Sequence, residues 1–159
     1  MALAVQNHAE VVSADYETDV IAWAKEQVRL LRSGQFSLLD IEHIVEEIED
    51  VAKSERRELR NRMAVLLAHL LKWQYQADRR GNSWRRTINV QRDEITAHIK
   101  SAPSLKPDLQ DSAWWDRVWS DALGIAVRDT GLSYEAFPEV CPWVVSEVLS
   151  SGFWPGESA

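Results

Sequence analysis

The 159-residue sequence holds one cysteine, six glycines and five prolines, and each scarcity excludes something. With Cys141 alone, an intrachain disulfide framework and a multi-cysteine zinc site are excluded, and a reducing cytoplasm is the expected setting. Few glycines and prolines leave few helix breakers, so long and rarely interrupted elements are expected. Long apolar runs are missing too. The longest, Met63–Leu71, is broken by His69 and falls far short of the ~20 residues that span a bilayer. Residues 1–14 lack a basic n-region and contain Gln6, Asn7, His8 and Glu10, so they read as a frayed tail rather than a signal peptide. Basic charge is short as well: 18 Lys and Arg stand against 25 Asp and Glu, a formal net charge of −7 that argues against uniform adherence to nucleic acid. The familiar catalytic patterns are also missing, with no Walker loop, Gly-x-Gly-x-x-Gly, Gly-x-Ser-x-Gly or His-Glu-x-x-His.

What is present is 45% hydrophobic residues and eight tryptophans, enough for one domain with its own core. Apolar spacing follows the helical period throughout, so the expected fold is all-α, a bundle of about five main helices. A first helix is capped by Asp15, turns Val20, Trp23, Ala24, Val28 and Leu31 inward, and stops at Gly34. Ser37 caps a second, whose stripe Ile41, Ile44, Val45, Ile48 and Ala52 is expected to face the core. No Gly or Pro separates Ser37 from Gln76, which permits one rod, but a break or kink is expected near Lys53–Ser54, where the stripe lapses. The third helix, about 54–76, is apolar almost all round and reads as central and buried. Ser83 caps a fourth through Trp84, Ile88, Ile95 and Ile99, and Pro103 ends it. Ser104 caps a fifth that runs through Pro107, carries Trp115, Val118, Trp119, Ala122 and Ala126 inward, and ends at Gly131. Pro142 opens a short last helix, and Phe153-Trp154-Pro155 tucks back onto the bundle. These bounds give a single helical domain over 15–155, with a C-terminal tail at 156–159.

Three constellations bear on chemistry. His69 sits within an apolar run, on a narrow polar stripe with Glu55, Arg62 and Gln76. It reads either as a hydrogen-bonded structural histidine or as a ligand or base. The second helix carries Asp40, Glu42, Glu46, Glu47, Glu49 and Asp50, with Glu42, Glu46 and Glu49 on one flank. Packed beside His69, that flank would make a divalent-metal site of Glu42, Glu46, Glu49 and His69, or a catalytic site of His69, Glu46, Glu49 and Arg92. Di-metal bundles carry Glu-x-x-His on two helices, whereas here only Asp40-x-x-His43 has the i, i+3 spacing. Arg92 falls on the buried side of the fourth helix and is expected to take Glu46 or Glu49 as its carboxylate partner. The third constellation, Lys72, Trp73, Arg79, Arg80, Trp84, Arg85 and Arg86, mixes cations with aromatics and would bind another protein or a nucleic acid through the basic 72–92 segment. Trp73 and Trp84 also read as core packing. Cys141, before a proline in an apolar stretch, reads as packing rather than nucleophile.

Several strings are similar to one family. Tyr16-Glu17-x-Asp19, Trp23, Leu30-Leu31-Arg32-x-Gly34, Leu39-Asp40 and Glu46-Glu47-Ile48-Glu49 resemble it in the first third of the chain. Leu66-Leu67-x-His69-Leu70-Leu71-Lys72-Trp73-Gln74-Tyr75, Ser83-Trp84, Gln91-Arg92, Thr130-Gly131-Leu132, Phe137-Pro138 and Cys141-Pro142 continue the resemblance to about residue 155. The family is domain of unknown function twenty-nine. The resemblance implies an all-helical, soluble protein of cyanobacteria and proteobacteria, with no established activity and no catalytic assignments to carry over.

The resulting expectation is a small cytoplasmic helical protein that acts by binding a macromolecule; the alternative is an enzyme or metal protein with a His/Glu/Arg site between helices two, three and four. Neither a cofactor nor an oligomeric state is specified. The net charge hides a segregation, because residues 53–92 hold eleven of the basic residues and only three acidic ones. A locally basic surface is therefore compatible with an acidic protein.

Overall fold

The four longest helices of this chain start at aspartates or a glycine rather than at the serines that its sequence offers. The computed structural model describes residues 15–157, so the tail expected at 1–14, together with Ser158 and Ala159, lies outside the described residues. All regular structure among these is helical: α1 (Val20–Arg32), α2 (Ile41–Tyr75), α3 (Asn82–Ser101), α4 (Ser112–Thr130) and α5 (Val145–Val148), joined by short 3-10 segments. The all-α expectation holds. Asp19, not Asp15, caps α1, its carboxylate accepting from Ala22 N at 2.9 Å. Asp15 instead shapes the turn before it by accepting from Glu17 N. Asp40, not Ser37, stands before α2 and accepts from His43 N. Asp111, not Ser104, caps α4, because Pro103–Gln110 forms a separate 3-10 run. Gly81 rather than Ser83 precedes α3, and Gly131 ends α4 in the left-handed conformation at φ 72°, where a side chain would be strained.

The break expected near Lys53–Ser54 does not occur. α2 runs unbroken for 35 residues. Extending an existing helix adds a hydrogen bond for each residue ordered, whereas a new start must meet the nucleation cost again. Nothing from Ile41 to Tyr75 is Gly or Pro, and ion pairs such as Glu58–Arg62 at 2.7 Å support the turns after Ser54.

The Cα arrangement divides into two compact units, residues 15–52 and residues 53–157. In the first, α1 buries Trp23, Gln27 and Leu30, an i, i+4, i+7 line, and leaves Val20, Val28 and Leu31 exposed. The stripe on the first turns of α2 does not face a core. Ile41, Val45 and Ile48 are 58, 48 and 65% exposed and Ala52 is exposed too, while Ile44 is half-buried. Spacing marks which residues share a face, and only packing determines whether that face is covered.

In the second unit the core follows the sequence reading closely. Leu59, Met63, Leu66, Leu67, Leu70, Leu71 and Trp73 on α2 are buried with Ile88 and Ile95 of α3, Val118, Trp119, Ala122 and Ala126 of α4, and Val148 of α5. Each fully buried side chain of this size contributes about 1.5–3 kcal/mol. The closing segment returns as expected: Trp154 lies 4.8 Å from Trp73 between ring centroids, and Pro155 is buried.

Candidate functional site

His69 is half-buried on α2 and donates from Nδ1 to Val65 O of its own helix at 2.9 Å. Burial lowers its pKa and outweighs the backbone hydrogen bond, which raises it. Val65 O is the carbonyl four residues back, so the ring is held by the turn beneath it. Two other members of its stripe also have partners. Glu55 meets His98 at 3.2 Å, and Arg62 meets Glu58 and Glu94.

The acidic flank expected on a second helix, beside His69 on a third, is differently placed. Glu42, Glu46, Glu49 and His69 all belong to α2. Side chains on one helix meet at separations of three or four residues, far less than the interval from Glu49 to His69. Among the described residues no group of three or more His, Cys, Asp or Glu is arranged to hold a metal ion.

Among the described residues Arg92 takes no carboxylate partner. Its Nε donates to Val148 O at 2.9 Å and its Nη2 to Phe153 O, while its guanidinium lies 5.1 Å from the Trp154 ring centroid. Burial lowers its pKa. Arg92 thus fastens the end of the chain to α3, since two backbone carbonyls left without strand or helix partners need a donor. No feature of the sequence distinguishes a carbonyl-bound arginine from a carboxylate-bound one.

Residues 72–92 divide in a similar way. Lys72 is buried, paired with Asp129 at 3.2 Å and set over Trp84 at 5.0 Å. Trp73 is in the core, and Arg80 donates to Trp73 O at 2.7 Å and to Gly156 O. Arg85 is exposed and stacks on Trp73 and Trp154 at 5.0 and 4.8 Å. Arg79 and Arg86 are exposed. Cys141 is free and half-buried, its thiol pKa raised by burial.

The first unit contains a polar network that the sequence announced only through the Asp40-x-x-His43 spacing. Asp40 Oδ2 lies 2.7 Å from His43 Nδ1 and accepts from Trp23 Nε1 at 2.9 Å, and Asp40 N donates to Gln27 Oε1 at 2.9 Å. Tyr16 stacks on His43 at 4.1 Å and donates to Glu47 at 2.8 Å. The hydrogen bond to Asp40 raises the pKa of His43 and lowers that of Asp40. The phenol of Tyr16, bound to Glu47, is pushed up to about 12. Tyr16, Trp23 and Asp40 are thereby used to join α1 to the start of α2. Neighbouring Ile41, Val45 and Ile48 remain uncovered.

The described residues define an all-helical protein with a buried core in one unit and, in the other, an acidic face bearing exposed apolar side chains. No helix among them is long and apolar enough to cross a membrane. The chain belongs to the family Domain of unknown function DUF29, whose model matches residues 16–154. No curated protein and no solved structure matches it.

Proposed function

We propose that this protein acts by binding another protein, through the acidic, apolar face of residues 15–52, and that the partner presents a basic amphipathic helix. The exposure of Ile41, Val45 and Ile48 on one face of α2 carries the reading. A helix face of this kind is a common docking surface for an amphipathic partner. Its flank is acidic, with Glu42, Glu46 and Glu49 beside the stripe, and residues 15–52 carry ten Asp and Glu against three Lys and Arg. Charge of one sign around an apolar stripe selects a partner of the other sign and speeds encounter. A contact of the 72–92 segment with a protein or a nucleic acid is a second reading, favoured by the exposure of Arg79, Arg85 and Arg86. A reducing, cytoplasmic setting accords with the free thiol of Cys141.

Fluorescence anisotropy of the full chain with a labelled Leu/Lys amphipathic peptide tests the first reading. The Leu/Lys peptide should bind, a Leu/Glu peptide of the same pattern should not, and Val45→Asp with Ile48→Asp should weaken binding tenfold or more. Equal binding of both peptides, or no loss in the double variant, would overturn it. So would sedimentation showing that this face instead joins two copies of the chain.

A further inference from the structure

Independently of that face, we infer that residues 53–157 hold a binding cleft for a nucleoside polyphosphate between α2 and the start of α4. The cleft has a volume of about 560 Å³, within the usual range for small-molecule sites, and is lined by Lys53, Arg56, Arg57 and Arg60 of α2 with Trp114 and Arg117 of α4. Asp108 and Asp111 also line it, so five cations face two carboxylates.

Those carboxylates are already engaged. Asp111 caps α4, accepting from Ala113 N and Trp114 N, and Asp108 lies 3.5 Å from Arg56. Arg60 reaches Asp121 at 3.3 Å. Among the described residues Arg57 and Arg117 have no ion-pair partner, and both are exposed. The fold uses Arg56 and Arg60 of this wall in ion pairs with Asp108 and Asp121. A polyanion engages Arg57 and Arg117 as well.

The spacing specifies which polyanion. Four cations spread over eight helical residues cover about 10 Å, the reach of a chain of phosphates rather than of one. Trp114 lies three residues before Arg117 on the same face of α4, so an aromatic ring adjoins a guanidinium, the pairing that stacks a base beside its phosphate. Trp114 Nε1 is buried without a hydrogen-bond partner, so the aromatic side of the wall is not satisfied by the protein alone, whereas Arg60 Nε and Asp108 Oδ2 are held in ion pairs. In this arrangement Arg57 and Arg117 grip the phosphates, Arg56 and Arg60 add field, and Trp114 takes the base.

Isothermal titration of the full chain with ATP, inorganic triphosphate and an oligothymidylate single strand provides the test. ATP should bind more tightly than inorganic triphosphate, and the affinity should fall as salt is raised. Arg57→Ala with Arg117→Ala should weaken ATP binding tenfold or more with an unchanged melting temperature, since neither side chain has an ion-pair partner to lose. Trp114→Leu should bring ATP down to the affinity of inorganic triphosphate; if that variant does not fold, the arginine pair decides the question. Absence of ATP binding, indifference to the arginine pair, equal affinity for ATP and inorganic triphosphate in the native chain, or binding of the oligonucleotide alone would each overturn the inference.

Discussion

Residues 15–52 and residues 53–157 are built from the same amphipathic helical patterns but cover their apolar faces very differently. In the larger unit the apolar positions of α2 are buried, with Leu67, Leu70 and Leu71 at 0% exposure, and even its basic residues are drawn into packing, as Lys72 and Arg92 are. In the smaller unit an equally regular stripe on the same helix stands open, while a polar network of Asp40, His43, Trp23 and Tyr16 holds the elements together. Charge follows the same division: residues 15–52 hold ten acidic and three basic side chains, whereas residues 53–157 hold fourteen and fifteen. Periodicity therefore does not report burial. One stretch of pattern makes a core and another makes a surface.

The largest effect that would sharpen this contrast is on stability. Leu67→Ala should cost about 2–5 kcal/mol in chemical denaturation, as for a closely packed core residue, whereas Ile48→Ala should stay within about 0.5 kcal/mol. Similar costs at the two sites would erase the distinction. Next in size, Arg92→Leu should destabilise by about 1–3 kcal/mol, because Val148 O and Phe153 O would lose their donor inside the fold. Amide exchange should show protection lost first over residues 148–155, and unchanged protection there would refute the fastening role of Arg92.

The two units should also respond oppositely to pH. His43 holds its proton more tightly folded than unfolded, so its contribution is complete below its ordinary value of 6.5 and is lost as the pH rises through its raised folded value. For His69, lowered by burial, stability is complete above 6.5 and declines as the pH falls. Imidazole NMR titrations should place His43 above 6.5 and His69 below it, and a reversed order would contradict both environments. The reading of 15–155 as one domain predicts coincident urea transitions from probes in residues 15–52 and 53–157. Separated transitions would divide the chain near Ala52.

Much of the fold was legible because helix formation is local. The inward positions Ile88, Ile95, Val118, Trp119, Ala122 and Ala126 follow from a period of 3.6 residues, and Gly131 as a stop follows from its tolerance of positive φ. Helix starts were less legible, because several side chains near each end offer an oxygen and the backbone uses one. The site was the least legible. Trp73 already read as core packing, but Lys72 and Arg80 read as a binding patch and not as the internal partners they are, since an ion pair with Asp129 or a carbonyl of Trp73 lies far off in sequence or is hidden by the turn between.

Composition and spacing by themselves determined an all-helical chain and its buried apolar stretch from Leu59 to Trp73, because these depend on side-chain type and on neighbours three or four residues away. The family followed from the resemblance of its motifs. Tertiary structure decided which stripe is covered, which arginines are consumed internally and which cations gather around an open cleft. Those outcomes depend on distant segments meeting, where the gain from burying a surface or pairing a charge is settled between elements.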